Sequence, residues 1–144
     1  AGVDIILGHH PHVLQPAIVS PQKKFAIYSL GNFISAQQGL ERRCSVILNM
    51  IYGIDSQTKQ PYFKKASYIP IYTRSFRDKG KLCFEVVPVE PALNSIRTGQ
   101  IHNFTRQEIS DLENSWKHTT EVFSPAQPPV EVHSLNIPLE SLRQ

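Results

Sequence analysis

The chain has 144 residues, of which 40% are hydrophobic and 19% are charged; this is the composition of an ordinary globular domain and excludes a disordered or fibrous protein. The formal net charge is +3, but the 15 basic residues are spread along the chain rather than collected in one run, so they do not indicate a nucleic-acid surface. No apolar stretch approaches the ~20 residues that a membrane-spanning helix needs.

The sequence opens with a short apolar run at residues 3–7, which ends at Gly8. Its β-branched side chains predict a buried strand of a parallel or mixed sheet. Because a strand at the very start has no preceding helix or partner, it also indicates a fragment of a longer chain. An exposed edge on this strand would allow pairing with a second copy, so a homodimer through exposed strand edges is a further expectation.

Two apolar segments follow at residues 13–19 and 25–30, and the polar turn at residues 20–24 between them predicts a β-hairpin. The second segment ends at the turn Gly31-Asn32, where glycine can adopt backbone angles that other residues avoid. Functional side chains often lie at such corners.

Three later segments, residues 44–54, 62–74 and 81–89, are rich in Val, Ile, Tyr and Phe. Turn-forming residues separate them, so they predict antiparallel strands. Pro70 lies inside the second segment and Pro88 inside the third. Proline lacks a backbone N–H, so each of these strands should run along a sheet edge or carry a bulge.

One helix is predicted near residues 105–123, because a capping box at its start precedes apolar residues at mostly helical spacing. It should pack by the face that carries Trp116. The predicted class is therefore α+β, with mostly strands in residues 1–104, the helix packed on them, and an extended Pro-rich tail at residues 124–144.

The two cysteines, Cys44 and Cys83, lie far apart and match neither a zinc ribbon nor a redox pair. Bridging would require their Cα atoms to lie within about 7 Å, which the sequence leaves open.

The sharpest chemical signal is Gly8-His9-His10-Pro11-His12, with three imidazoles in four positions directly after an apolar strand. Sites gather at the carboxyl ends of strands, and imidazole is the commonest nitrogen ligand of zinc, manganese and iron. A fully extended turn would place His10 and His12 on one face. Pro11 fixes its own φ and pushes His10 toward an extended conformation, so His9 and His12 could instead converge across the turn. His12 is the first candidate metal ligand, with His9 and His10 equal behind it. The alternative is a packed, hydrogen-bonded histidine without metal.

Asn32 is the second candidate, as a catalytic residue alongside His12. Its amide could reach a substrate or a water at the metal centre. The alternative is a left-handed turn conformation, which asparagine tolerates. Replacement by glycine distinguishes these roles, because only a backbone role survives it.

The block GVDIILGHHPHVLQP at residues 2–16, followed by FAIYSLGNFI at residues 25–34, resembles the C-terminal signature of CapA-type capsule and poly-γ-glutamate synthesis proteins. The resemblance implies a calcineurin-like metallophosphoesterase fold, a β-sandwich with flanking helices whose loops hold two divalent ions of Mn, Zn or Fe. The last motif of that superfamily is Gly-His-x-His. The extra proline here leaves open whether His9 or His10 takes the first role.

The same resemblance implies a bacterial, extracytoplasmic parent protein, anchored to the membrane by an upstream segment. The parent is expected to be a metal-dependent hydrolase that acts on a phosphoester or on an anionic polymer such as poly-γ-glutamate, alongside other capsule-synthesis membrane subunits. The earlier motifs have no counterpart in this chain, so we expect it to be inactive alone. The alternative is a non-catalytic polymer-binding or assembly subunit of capsule synthesis or export.

Two surface features could meet an anionic polymer: the five tyrosines, and the basic pairs at residues 42–43 and 64–65. Strand tyrosines more often cover a sheet face, and like-charged dipeptides are more often solvated surface. The sequence therefore favours the structural interpretation of both.

Overall fold

The computed structural model describes residues 2–124 and 130–133, which form two sheets and a set of helices. This mixture agrees with the predicted α+β class. The elements in chain order are β1 Ile5–Leu7, β2 Ala17–Val19, β3 Phe25–Ile27, α1 Leu40–Arg43, β4 Cys44–Ile54, β5 Pro61–Asp78, β6 Lys81–Pro88, α2 Val89–Arg97, α3 Arg106–Phe123 and β7 Glu131–Val132. Most of the predicted tail lies outside the described residues, and the predicted division into three regions stays a prediction. No helix in the described part is long and apolar enough to cross a membrane.

The first sheet has the order β1-β3-β2, with β3 parallel to β1 and antiparallel to β2. The predicted hairpin of β2 and β3 is confirmed. The predicted burial of β1 is wrong, since Ile6 is 56% exposed and its two strand neighbours are also exposed. The reason is that β1 is an edge strand whose side chains lie outside both core clusters of the described residues.

The second sheet has the order β4-β5-β6, with the short β7 also paired to β5. The three predicted antiparallel strands are confirmed. β5 is central rather than an edge strand, and it does carry an irregularity, since its register with β4 shifts between Lys65 and Phe63. That shift is not at Pro70, where the register is continuous. On the other side of β5, the pairing with β6 begins at Ile71 and the pairing with β7 ends at Tyr68. Pro70 lies between these two pairings, so its missing N–H interrupts no hydrogen bonds to β6 or β7. Pro88 ends an edge strand of the described sheet, as predicted.

The predicted capping box and helix α3 are confirmed. The Thr105 side chain accepts from the backbone N–H of Glu108, whose carboxylate accepts from the Thr105 N–H. The buried stripe of α3 runs through Leu112 and Phe123, with Trp116 half-buried beside it. α3 packs against α2 and against β4 and β5.

The prediction of a single helix is wrong, because α1 and α2 are also present. α2 begins at Val89, where the sequence pattern had extended the preceding strand. Pro91 lies in its first turn, where a missing N–H costs no helical hydrogen bond. α2 forms because this register buries Val89, Ala92 and Leu93 together against α3 and Tyr72.

Two hydrophobic clusters form the core of the described residues. The first joins the small sheet to β4 and β5, with the rings of Phe25 and Phe63 stacked at 5.4 Å between centroids. The second lies between α2, α3 and Tyr72 of β5. The first sheet is therefore held by its β2–β3 face, which leaves the turn after β1 at the surface.

Candidate functional site

Gly8 fixes the start of the histidine turn against the strand beside it. Its N–H donates to the Ile27 carbonyl at 2.8 Å, and its carbonyl accepts from the Leu30 N–H at 3.1 Å. A Cβ at this position would lie 2.1 Å from the carbonyl oxygen of Tyr28, so only glycine allows this approach. The parallel pairing of β1 and β3 thus brings the turn after β1 next to the turn after β3.

The second turn is built on the buried Ser29, whose hydroxyl accepts from the Gly31 N–H at 3.2 Å. Gly31 has φ +75, and a Cβ there would lie 2.9 Å from the Cys44 carbonyl oxygen. The left-handed residue of this turn is Gly31, because Asn32 is absent from the non-glycine residues with positive φ. The alternative that Asn32 has only a left-handed backbone role is therefore wrong.

The side chain of Asn32 joins the two turns. Its Oδ1 lies 2.8 Å from His12 Nδ1, and its Nδ2 donates to the carbonyls of His12 (3.2 Å) and Arg42 (3.0 Å) and to Gln37 Oε1 (2.9 Å). Backbone carbonyls only accept, so the amide nitrogen must face them and the amide oxygen must face the ring. His12 Nδ1 is therefore the donor. In the neutral ring this leaves the Nε2 lone pair open.

All three histidines of the turn are exposed, and no hydrogen bond to the side chain of His9 or His10 occurs within residues 2–124 and 130–133. The three side chains are therefore not packed in the core, although His12 is hydrogen-bonded, as the alternative without metal also expects. The expectation that Pro11 makes His10 extended is wrong, since His10 has φ +112 and His12 has φ +62. Such conformations cost about 1–3 kcal/mol each and persist where surrounding contacts impose them. Here the contacts of Gly8 and Asn32 hold the two ends of the turn.

Within the described residues, no three side chains of His, Cys, Asp or Glu are close enough together to hold a metal ion. The assignment of His9, His10 and His12 as ligands, and the choice between His9 and His10, stay predictions. Both cysteines are free. Burial raises the pKa of Cys44 to about 11, which disfavours a thiolate ligand at that position.

Sequence reasoning missed the contribution of Gln37 and of the Arg42 carbonyl, which hold the far side of the Asn32 amide. Gln37 lies in a polar loop without a pattern, and a backbone carbonyl leaves no sequence signal. The contact could be found only once the chain between β3 and α1 had been placed.

Residues 1–37 match the family described as bacterial capsule synthesis protein PGA_cap. A segment of 48 residues is 48% identical to PGA biosynthesis protein CapA of Bacillus subtilis (strain 168), covering 33% of this chain and 12% of that protein. A segment of 37 residues is 60% identical to capsule biosynthesis protein CapA of Bacillus anthracis, covering 26% and 9%. No solved structure matches the chain significantly. The resemblance to CapA-type capsule biosynthesis proteins is thus confirmed over a short segment, which spans a small part of each relative.

Proposed function

We propose that the turn at residues 8–12 supplies histidine ligands to a metal centre of a capsule or poly-γ-glutamate biosynthesis protein. In this proposal the intact protein is a metal-dependent hydrolase of calcineurin-like fold, outside the cytoplasm and associated with the membrane. The remaining ligands come from sequence outside these 144 residues. The observation that carries the proposal is the hydrogen bond between His12 Nδ1 and Asn32 Oδ1.

The donor set fits a divalent ion such as Mn, Zn or Fe. A metal-binding histidine typically donates its second ring N–H to an oxygen acceptor, which fixes the tautomer and the ring orientation. Asn32 provides that acceptor for His12, and the exposed Nε2 is left for the metal. His9 and His10 precede it on the same exposed turn, so either can supply the second imidazole.

A pair of divalent ions, when bound, supplies the positive charge that stabilises a phosphoryl group or a similar centre during hydrolysis. The residues of this chain orient that centre. His12 is held by Asn32, and Asn32 is in turn held by Gln37 and the Arg42 carbonyl. Because the Asn32 amide nitrogen is occupied by these acceptors, Asn32 acts in the proposal as a positioning residue for His12 rather than as a direct substrate contact.

The test is a titration of the chain with Zn²⁺, followed by the ¹⁵N chemical shifts of the histidine rings. We expect His12 to show a protonated Nδ1 before the addition and to shift at Nε2 during it. His102 and His133, which are exposed elsewhere in the fold, serve as internal controls. If His12 responds no more strongly than these two, the proposed ligand is wrong.

Asn32→Ala should weaken Zn²⁺ binding at His12 about 10- to 100-fold, as loss of an outer-shell partner typically does. The same variant should also redistribute the His12 proton between Nδ1 and Nε2. His102→Ala is the matched control and should change neither quantity. An unchanged tautomer and affinity in Asn32→Ala would contradict the positioning role.

The second candidate is a non-catalytic polymer-binding or assembly subunit, favoured by an exposed basic cleft remote from the histidine turn. Hydrolase activity of the intact protein that disappears on chelation and in His12→Ala would support the enzyme. Capsule production that is unchanged in His12→Ala would support the subunit.

A further inference from the structure

A cleft of about 410 Å³ lies where the β2–β3 turn meets the start of β5. Lys23, Tyr62 and Lys64 are among the residues that line it. Lys23 precedes β3, whereas the histidine turn follows β1, which runs parallel to β3. The cleft and the histidine turn are therefore at opposite ends of the first sheet.

Lys23 is held in place by its backbone. It has φ +57, which is unusual for a residue other than glycine. Its N–H donates to the Ser20 carbonyl at 2.9 Å, and its own carbonyl accepts from the Phe63 N–H at 2.9 Å. The turn is thereby tied to β5, and its lysine side chain is directed to the ring of Tyr62.

Two ammonium groups lie close to the ring of Tyr62. Lys23 Nζ lies 5.2 Å and Lys64 Nζ 5.7 Å from the ring centroid, both within cation–π range. Gly53 is the cross-strand partner of Tyr62 on β4. A Cβ on Gly53 would lie 2.4 Å from Lys64 Cε and 2.6 Å from Tyr62 Cζ, so the absence of a side chain there makes the arrangement possible.

Neither of these two lysines is held in a close ion pair within the described part of the chain. The neighbouring Lys24 pairs with Asp4 at 3.3 Å, and Lys65 pairs with Glu131 at 2.6 Å. Lys23 and Lys64 form no such salt bridge with any described residue.

The acidic residue Asp55 lines an adjoining cleft of about 440 Å³ together with Lys23. Its carboxylate accepts from the N–H groups of Gln57 and Thr58 and from the Thr58 hydroxyl. Those hydrogen bonds are the main cause that lowers the pKa of Asp55, and the charge of Lys23 makes the smallest contribution. The cleft therefore keeps two cations within about 6 Å of one aromatic ring.

We propose that this cleft, formed by Lys23, Tyr62 and Lys64, binds a flexible chain of carboxylates of the poly-γ-glutamate type. The inference rests on the proposed function in capsule biosynthesis for the identity of the polymer. Each ammonium group can pair with one carboxylate of such a chain, and the exposed part of the half-buried Tyr62 ring can contact its methylene groups. The metal centre is not required for this binding.

The test uses fluorescently labelled poly-γ-glutamate oligomers, whose anisotropy is measured with the 144-residue chain in the presence of a chelator. Lys23→Gln/Lys64→Gln should weaken binding about tenfold. Lys79→Gln/Lys81→Gln is the matched control, since it removes the same charge from exposed positions at the β5–β6 turn. Lys79 also matches Lys23 in its positive φ. Binding by this control should equal that of the wild type.

Gly53→Ala provides a second variant that leaves the net charge unchanged and should also weaken binding, because it displaces the Tyr62 ring. The inference is overturned if both lysine double variants lose the same affinity, or if tripolyphosphate competes as well as the oligomer at equal charge. Absence of any oligomer binding, with Zn²⁺ still bound at His12, would overturn this inference alone. Oligomer binding without Zn²⁺ binding at His12 would instead overturn the proposed metal centre.

Discussion

Arg74 of β5 is a buried cation, only 7% exposed. Its guanidinium donates to the carboxylates of Glu108 at 2.6 Å and Glu85 at 2.9 Å, and to the Asn103 carbonyl at 2.7 Å. The ring of Phe104 lies over it, 4.2 Å from Cζ to the centroid. These contacts attach the start of α3 to the sheet, and their removal should therefore cost far more than loss of a surface ion pair.

Arg74→Met should lower the free energy of unfolding by about 3–5 kcal/mol, the range for breaking a buried ion pair on one side. Arg74→Lys keeps the charge but loses the planar guanidinium that donates to several acceptors at once, and should lower the free energy of unfolding by about 1.5–3 kcal/mol. Most of the cost arises because Glu108 keeps its charge without Arg74. Glu108→Gln removes that charge and can preserve the capping box, so Arg74→Met/Glu108→Gln should recover about 1–3 kcal/mol relative to Arg74→Met.

The assay is urea unfolding followed by the fluorescence of Trp116, the single tryptophan of the chain, which packs against the second core cluster. Arg77→Met is the control, because Arg77 is exposed and, among the residues that the structure describes, donates only to the Gly80 carbonyl. Its effect on the free energy of unfolding should stay within about 0.5 kcal/mol. The reasoning is refuted if Arg74→Met lies within about 1 kcal/mol of the wild type, or if the double variant recovers nothing.

Three further predictions follow from single groups. Burial raises the pKa of Glu108, but hydrogen bonds from Arg74 and from the start of α3 lower it to a net value below the ordinary one. Its contribution to stability is therefore complete above about pH 4.3 and is lost as the pH falls through the folded-state pKa. The free energy of unfolding, measured in urea, should fall more steeply with decreasing pH for the wild type than for Glu108→Gln. Parallel pH dependences of the two proteins would contradict this. Gly8→Ala should lower the free energy of unfolding by about 1–3 kcal/mol, because the added Cβ would clash with the Tyr28 carbonyl. A variant as stable as the wild type would contradict this close approach of Gly8 to β3. Cys83 should react with a thiol reagent at least about tenfold faster than Cys44, whose burial raises its pKa, and equal rates would count against the buried position.

The strands of the second sheet and helix α3 were predictable because each carries a strong local signal, a run of β-branched and aromatic residues or a capping box. α2 was not, since Pro88 and Val89 continue the apolar pattern of β6 and only tertiary burial turns the chain into a helix there. The burial of β1 failed for a related reason. An apolar run fixes a preference for strand, whereas its exposure depends on what packs against it.

For the candidate site, the sequence located both turns but not their contact. His12 and Asn32 are 20 positions apart, and the parallel pairing of β1 with β3 brings them within hydrogen-bond distance. A residue before proline favours an extended backbone, but His10 has a positive φ, because contacts at both ends of the turn outweigh that local preference. The Lys23 cleft was missed because its two lysines belong to separate lysine pairs, at residues 23–24 and 64–65, and only the fold brings one member of each pair to the same ring.

β5 is unusually long, at 18 residues, and supplies side chains to both core clusters, Phe63 and Tyr68 to the first and Tyr72 to the second. Neither cluster can open fully without breaking hydrogen bonds of this one strand. The amides of Tyr68 and Tyr72 should therefore exchange with solvent through a common opening event, although they serve different halves of the core. A ligand that tightens the cleft at the start of β5 would slow the exchange of both halves together.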